Sequence, residues 1–97
     1  MSAKANGSEV VTREFLVTNK LGIHARPAAK FVRTANRFSC DICVERDGEK
    51  VNGKSIMGLM MLAVGHGSTL TIHANGQDAA QAMAELEVLV QRRFDEE

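Results

Sequence analysis

The 97-residue chain contains no tryptophan and no tyrosine, so that all four of its aromatic residues are phenylalanine. Proteins that bind single-stranded nucleic acid commonly stack bases on aromatic rings, and this scarcity weighs against that function. An excess of one charge is also missing, because twelve lysine and arginine residues balance twelve aspartate and glutamate residues. Neither nucleic acid nor a membrane surface is therefore expected as a partner.

Long apolar runs are missing as well. No segment approaches the roughly 18 residues that a membrane-spanning helix requires, and residues 1–9 lack the apolar centre of a signal peptide. We therefore expect the protein to reside in the cytoplasm. Its length and its 44% of hydrophobic residues are typical of one folded domain. We expect a monomer, with a flexible N-terminal extension over residues 1–11 and a domain over residues 12–97.

Cysteine is scarce too, since only Cys40 and Cys43 are present, in a CxxC spacing. That spacing occurs in zinc and redox sites. A zinc site needs two further ligands, however, and no second CxxC or histidine pair follows at a suitable distance. The segment is typical of a strand, in which residues three apart point to opposite faces. We expect one buried thiol, one thiol on the other face, no metal ion and no cofactor.

The spacing of apolar residues predicts both kinds of secondary structure. Alternation predicts four strands, at residues 10–18, 40–45, 49–51 and 69–74. Recurrence at three- and four-residue steps predicts two helices, at residues 25–36 and 78–93. The very apolar segment 55–62 is expected to form a third helix, which is short and lies between these two. Ser55 and Asp78 are the predicted N-caps of the second and third helices. The order β-α-β-β-α-β-α favours an α+β sandwich with the helices on one face of a small sheet.

One sequence pattern is misleading. The segment Gly48-Glu-Lys-Val-Asn-Gly-Lys-Ser55 fits the GxxxxGK[ST] pattern of nucleotide-binding loops. Asp47-Gly48 is, however, better explained as the turn of a hairpin, and no later apolar strand ends in an aspartate that could hold Mg²⁺. We therefore reject nucleotide hydrolysis.

The most informative segment is Gly22-Ile-His-Ala-Arg-Pro-Ala-Ala29, at the predicted start of the first helix. Pro27 is tolerated there because N–H groups of the first turn lack intrahelical partners. Those N–H groups and the helix dipole attract anions. His24 supplies a nucleophilic nitrogen, and Arg26 supplies a fork of donors that matches phosphate oxygens. The pattern points to phosphoryl transfer. The alternative is a histidine N-cap beside a solvated arginine.

This segment resembles the active-site signature of the HPr phosphocarriers of the bacterial phosphotransferase system. Gly53-Lys-Ser-Ile-Met-Gly58 resembles that family's second signature, and the resemblance covers about residues 12–93. It implies an open-faced β-sandwich, a four-stranded antiparallel sheet covered on one face by three helices. It also implies that enzyme I phosphorylates His24 at Nδ1 with the assistance of Arg26, and that IIA domains receive the phosphoryl group. The protein would then be a carrier without turnover of its own.

Ser55 matches the regulatory serine of the HPr family. The resemblance therefore implies two further partners, a Ser-specific kinase/phosphorylase and a transcriptional regulator. The alternative is that Ser55 is only a helix N-cap. Two other functions remain open: a regulatory carrier in a nitrogen-related branch, and an interaction module that acts through phosphate on Ser55.

A docking surface for partners is predicted around the two motifs. Met57, Met60 and Met61 lie on the predicted second helix. Methionine suits a surface that must accommodate several partners, although these three residues could equally belong to the core. The predicted docking residues are Ala25, Pro27, Ala29, Ile56, Met57 and Met60.

Overall fold

The computed structural model describes residues 9–96, so that residues 1–8 and residue 97 lie outside the described range. Within that range the elements follow the predicted order β-α-β-β-α-β-α. They are β1 (Val10–Leu16), α1 (Ala25–Ala35), β2 (Asp41–Arg46), β3 (Glu49–Asn52), α2 (Ile56–Met61), β4 (Thr69–Asn75) and α3 (Ala79–Gln91). A short 3-10 turn, Arg93–Asp95, follows α3. Among these helices, none is long and apolar enough to cross a membrane.

The strands form one antiparallel sheet in the order β1-β4-β2-β3. Alternate residues of the inner strand β4, namely Leu70, Ile72 and Ala74, are buried. Thr71 and His73 point to the opposite face and are partly exposed. One face of the sheet is therefore covered while the other faces solvent. This arrangement confirms the predicted α+β open-faced sandwich.

Both long helices bury the apolar stripe that predicted them. The stripe of α1 consists of Ala28, Phe31, Val32 and Ala35. The stripe of α3 consists of Ala79, Ala82, Met83, Leu86, Leu89 and Val90. α1 packs against α2 and α3, and α3 packs against β1 and β4. Residues from two other helices can therefore reach the surface of α1.

The connection between β2 and β3 is the predicted hairpin. Arg46 pairs with Glu49, and the two residues between them, Asp47 and Gly48, have φ values of 53° and 83°. Two successive positive φ angles are the signature of a tight hairpin turn whose twist suits the flanking strands. Gly48 thus belongs to a turn rather than to a nucleotide-binding loop.

Several element boundaries differ from the sequence predictions by one or two residues. β1 begins at Val10, as the strand prediction has it, and ends at Leu16 instead of residue 18, so Val10 and Val11, which were also placed in the N-terminal extension, pair with Asn75 and Ala74. The third helix ends at Gln91 instead of residue 93, because the residues from Arg93 onward adopt left-handed backbone angles. The remainder of the expected extension, residues 1–8, lies outside the described range.

Asp78 does not cap α3 with its side chain, contrary to the prediction. The backbone N–H groups of Ser39 and Cys40 donate to its two carboxylate oxygens, each over 2.9 Å. These hydrogen bonds, with that from Ser39 contributing most, hold the pKa of Asp78 below its usual range. The carboxylate therefore joins the start of β2 to the start of α3.

The two cysteines differ as the strand geometry predicts, since Cys40 is buried and Cys43 is partly exposed. Burial raises the pKa of Cys40 to about 11, and Asp78 beside it contributes in the same direction. The thiol therefore stays protonated at neutral pH and is a poor nucleophile. Among residues 9–96, no group of three or more histidine, cysteine, aspartate or glutamate side chains could hold a metal ion.

Gly22 fixes the loop that leads into α1. Its φ is +68°, and a Cβ added there would lie 2.3 Å from the carbonyl oxygen of Val64. The next residue, Ile23, donates its N–H to that same oxygen over 2.8 Å. The approach of the two loops therefore requires glycine both for its backbone angle and for its lack of a side chain.

We expect Gly22→Ala to lower the free energy of unfolding by about 3 kcal/mol, because it adds overpacking to the backbone cost. Gly67→Ala should cost only about 1 kcal/mol, because Gly67 has a φ of +86° but open space around it. Gly65 has open space and no positive φ, so Gly65→Ala should change stability by less than about 0.5 kcal/mol. Urea denaturation of the three variants measures these differences. Equal losses for Gly22→Ala and Gly67→Ala would show that the contact with Val64 is unimportant.

Candidate functional site

His24 occupies the N-cap position of α1, with an extended backbone, but its side chain makes no capping hydrogen bond. The Nε2 atom is buried and has no hydrogen-bond partner. One third of the side chain is exposed, and Nδ1 is the ring nitrogen that remains accessible. The imidazole is therefore held in place by the fold while its Nδ1 is available to react.

The first turn of α1 lies directly beside this imidazole. The carbonyl oxygen of His24 accepts the first hydrogen bond of the helix, from the N–H of Ala28 over 3.0 Å. The N–H groups of Ala25 and Arg26 precede that bond and have no intrahelical acceptor. The first turn contains no acidic residue, so the positive end of the helix dipole is not neutralised locally. The start of α1 is consequently suited to an anion.

Arg26 is exposed over 70% of its side chain, and it also binds Glu96 in bidentate fashion. Its Nε donates to Oε2 over 3.0 Å and its Nη2 donates to Oε1 over 2.7 Å. Lys30, one turn further along α1, donates to Oε2 over 3.3 Å. Glu96 Oε1 also lies 3.8 Å from Nε2 of His24. A single carboxylate therefore contacts both cations of the site and approaches the histidine.

The carboxylate of Glu96 is ionised at neutral pH. The hydrogen bonds from Arg26 are the main reason why the pKa of Glu96 falls to about 2. Partial desolvation opposes the shift, and Lys30 adds to it. The same contact raises the pKa of Arg26. Glu96 is therefore the anion that the start of α1 holds in this state.

Glu96 reaches the site through an unusual turn, which we call the acidic turn and define as residues 93–96. Arg93, Phe94 and Asp95 have φ values of 56°, 55° and 57°, which are uncommon for residues other than glycine. The side chain of Phe94 is fully buried, and its carbonyl oxygen accepts a 2.7 Å hydrogen bond from Nζ of Lys30. The turn thus directs the chain from the end of α3 onto α1.

Glu96 and Lys30 belong to the site, although no sequence motif points to them. Glu96 lies 70 residues from Arg26, and no local spacing connects them. The available signal was weak, namely an acidic run at residues 95–97 and the basic residues Arg26 and Lys30 near His24. The neighbouring loop contributes as well, since one pocket is lined by Lys20, Leu21, His24, Arg26 and Glu96.

Ser55 is the N-cap of α2, as predicted. Its Oγ accepts a hydrogen bond from the N–H of Gly58 over 3.0 Å. Because α2 packs against α1, the second motif lies on a helix that adjoins the helix of His24. The two motifs are therefore brought together on the helical layer.

Four of the six predicted docking residues are exposed. Ile56, Met57 and Met60 are exposed, and Met61 adds a further exposed methionine. On α1, Ala25 is exposed and Ala29 is partly buried. Pro27 is fully buried, contrary to the prediction, so it shapes the first turn of α1 and offers no surface to a partner. Leu21, which is exposed beside His24, is a further apolar residue at the site.

Comparison with known proteins agrees with this geometry. Residues 11–92 match the family model described as the PTS HPr component phosphorylation site. The phosphocarrier protein HPr of Pseudomonas aeruginosa is 49% identical over 84 residues, which cover 86% of this chain and 93% of that protein. The HPr-like protein Crh of Halalkalibacterium halodurans is 49% identical over 83 residues, which cover 86% and 99%.

Solved structures give the same result. The crystal structure of a phosphocarrier protein HPr from Bacillus anthracis superposes with a TM-score of 0.80 at 51% sequence identity, covering 84% of this chain and 98% of that one. The chain therefore belongs to the HPr family of phosphocarrier proteins.

Proposed function

We propose that this protein is the phosphocarrier of a phosphoenolpyruvate-dependent sugar phosphotransferase system. It accepts a phosphoryl group from enzyme I on Nδ1 of His24 and passes that group to IIA domains. The observation that carries this proposal is the uncommitted imidazole at the start of α1, whose side chain makes no capping bond although it occupies the capping position. A histidine with only a structural role would be expected to use its ring nitrogens within the fold.

The transfer requires a nucleophile, an anion site and an open approach. Nδ1 of His24 attacks the phosphorus, so that a new P–N bond forms as the P–N bond to the donor's histidine breaks. Because Nδ1 must be free of a proton in order to attack, the ring proton lies on Nε2. The distance between Nε2 and Oε1 of Glu96 is 3.8 Å. The N–H groups of Ala25 and Arg26 and the guanidinium of Arg26 are the donors for the phosphoryl oxygens. Return of the group to an acceptor reverses these steps.

The relatives include both HPr and HPr-like Crh proteins. A purely regulatory role is therefore the second candidate function. A module acting only through phosphate on Ser55 needs no reactive imidazole and no arginine fork next to it. The arrangement of His24 and Arg26 therefore favours a carrier over such a module. A carrier in a nitrogen-related branch would use the same chemistry. The identity of the protein that accepts the phosphoryl group distinguishes that carrier from one that serves sugar transport.

We expect incubation with phosphoenolpyruvate and enzyme I to add one phosphate to the unmodified protein. The His24→Ala variant should gain no phosphate. The modification should be lost in mild acid, because a phosphoramidate is acid-labile. His66→Ala and His73→Ala are the controls, since both histidines lie outside the site, and both variants should be labelled normally. Intact-mass spectrometry before and after acid treatment provides the measurement. Normal labelling of His24→Ala would refute the proposal.

A regulatory role for Ser55 has its own support. Its hydroxyl caps α2, and the residues that follow it, Ile56 and Met57, are exposed apolar side chains. A phosphate there would add a charge of about −1.5 to −2. The free N–H groups of the first turn of α2 tolerate that charge, whereas burial of Ile56 and Met57 beneath a partner becomes costly beside it. We propose that a Ser-specific kinase/phosphorylase uses this position, and that a transcriptional regulator reads it.

We expect Ser55→Asp to slow phosphorylation of His24 by enzyme I while leaving the melting temperature nearly unchanged. Ser55→Ala should be phosphorylated at the normal rate but should lose about 1 kcal/mol of stability with the cap. Ser55→Asn keeps a capping oxygen without a charge and should behave like the unmodified protein in both respects. Initial rates at low and high salt, together with thermal melts, distinguish these variants. If Ser55→Asp is phosphorylated as fast as Ser55→Asn at both salt concentrations, Ser55 is a cap and nothing more.

A further inference from the structure

We propose that a cavity beside the pocket of His24 binds the phosphate group of a small phosphorylated molecule, and that this ligand slows the phosphorylation of His24. The cavity has a volume of about 370 Å³ and is lined by Thr18, Lys20, His66 and Arg93. The binding of phosphate is independent of the proposed function. The effect on His24 rests on that function, because it concerns transfer from enzyme I.

The residues that line this cavity are all hydrogen-bond donors, and none of them is acidic. Lys20 supplies an ammonium, Arg93 supplies a guanidinium, and His66 supplies an imidazole N–H. In the part of the chain that the structure describes, the exposed side chains of Lys20, His66 and Arg93 form no hydrogen bond and no ion pair. Two permanent cations therefore face one cavity without a counter-ion from residues 9–96, and a bound anion relieves their repulsion.

The two carboxylates nearest in sequence to Arg93 bind other arginine residues. Asp95 is bound by Arg92 over 2.6 and 3.0 Å. Glu96 is bound by Arg26 over 2.7 and 3.0 Å. Neither carboxylate therefore neutralises the guanidinium of Arg93.

Backbone hydrogen bonds join two of the segments that supply these donors. The N–H of Val17 donates to the carbonyl oxygen of Ser68 over 2.9 Å, and the N–H of Gly67 donates to the carbonyl oxygen of Val17 over 2.8 Å. Val17 directly precedes Thr18, and Gly67 directly follows His66. The backbone that carries the donors is therefore fixed before a ligand arrives, which lowers the entropic cost of binding.

The donor set favours phosphate over carboxylate. A planar carboxylate offers two oxygens, which the fork of one guanidinium can satisfy. A guanidinium, an ammonium, an imidazole and a hydroxyl on separate segments instead suit a tetrahedral group that offers at least three oxygens. The volume of about 370 Å³ lies near the lower end of the roughly 300–1,000 Å³ that is typical of small-molecule sites. The cavity therefore has room for a small organic group attached to the phosphate.

Lys20 connects this cavity to the reactive histidine. Its side chain lines both the cavity and the pocket of His24. A phosphate bound to Lys20 places negative charge beside that pocket. The donor enzyme must bring a phosphoryl group to the same place, and like charges slow such an encounter.

The first test measures binding of inorganic phosphate and of glycerol 2-phosphate, a model phosphate ester. ¹⁵N NMR of the His66 ring and of Arg93 Nε reports binding at the cavity, whereas the His24 ring reports binding at the start of α1. We expect Arg93→Gln and His66→Asn each to bind both ligands about tenfold more weakly than the unmodified protein. The matched control Arg37→Gln removes an arginine charge from an exposed pair with Glu85 and should bind both ligands normally.

Three results would contradict the proposed site. Perturbation of the His24 ring alone would show that phosphate binds only at the start of α1. Equal weakening in Arg37→Gln would show a general effect of charge. If inorganic phosphate binds and glycerol 2-phosphate does not, the assignment of the cavity to phosphorylated molecules is wrong.

The second test measures the initial rate at which His24 is phosphorylated. The donor is enzyme I that has been phosphorylated beforehand and separated from phosphoenolpyruvate, which is itself a phosphate ester. We expect glycerol 2-phosphate, compared with sodium chloride at equal ionic strength, to slow the unmodified protein and Arg37→Gln several-fold. His66→Asn and Arg93→Gln should lose this response. The cavity is separate from the imidazole of His24, so loss of His66 changes the response to the ester and not the capacity of His24 to accept one phosphate.

The controls separate an effect on this protein from one on the donor. Equal slowing of all four proteins would place the effect on enzyme I and would overturn the proposed regulation. An unchanged rate in the unmodified protein at saturating ester would do the same. If no protein is phosphorylated while both ligands bind at the cavity, the proposed function fails and the binding site stands.

Discussion

The concentration of positive charge at the start of α1 is the constraint around which this molecule is organised. Unpaired N–H groups, Arg26 and Lys30 meet there, and the first turn contains no acidic residue. Such a place attracts an anion. In the unphosphorylated protein the anion is the carboxylate of Glu96, which contacts both cations. In the proposed function a phosphoryl group takes over that role, so the same electrostatics serve both states.

The fold holds this charge in a fixed position. The close approach of Gly22 to Val64 sets the path of the loop before His24, and burial of Pro27 and Phe94 fixes the elements on either side. The sheet contributes only indirectly, by supporting the helices on one face and leaving its other face to solvent. In the proposed function this arrangement leaves the imidazole of His24 open to large partners on a fixed helix start, which suits a group that is delivered and removed repeatedly.

Features with local causes could be predicted from the sequence, and those with distant causes could not. The apolar stripe of α1, the turn at Asp47-Gly48 and the cap at Ser55 each depend on residues within a few positions of one another. The hydrogen-bond partners of Asp78 and Glu96 could not be predicted, because a carboxylate binds whichever donors the tertiary structure brings to it. Local preference favours Asp78 as a cap, but the N–H groups of Ser39 and Cys40 compete successfully for it.

In the proposed function Nδ1 of His24 is the atom that carries the phosphoryl group, because Nε2 is buried and Nδ1 is the other ring nitrogen at this anion site. The most direct measurement is ³¹P–¹⁵N NMR on protein labelled with ¹⁵N-histidine and phosphorylated by enzyme I. We expect a one-bond coupling between phosphorus and Nδ1 of His24. Coupling to Nε2, or a phosphorus atom bonded to any other residue, would contradict it.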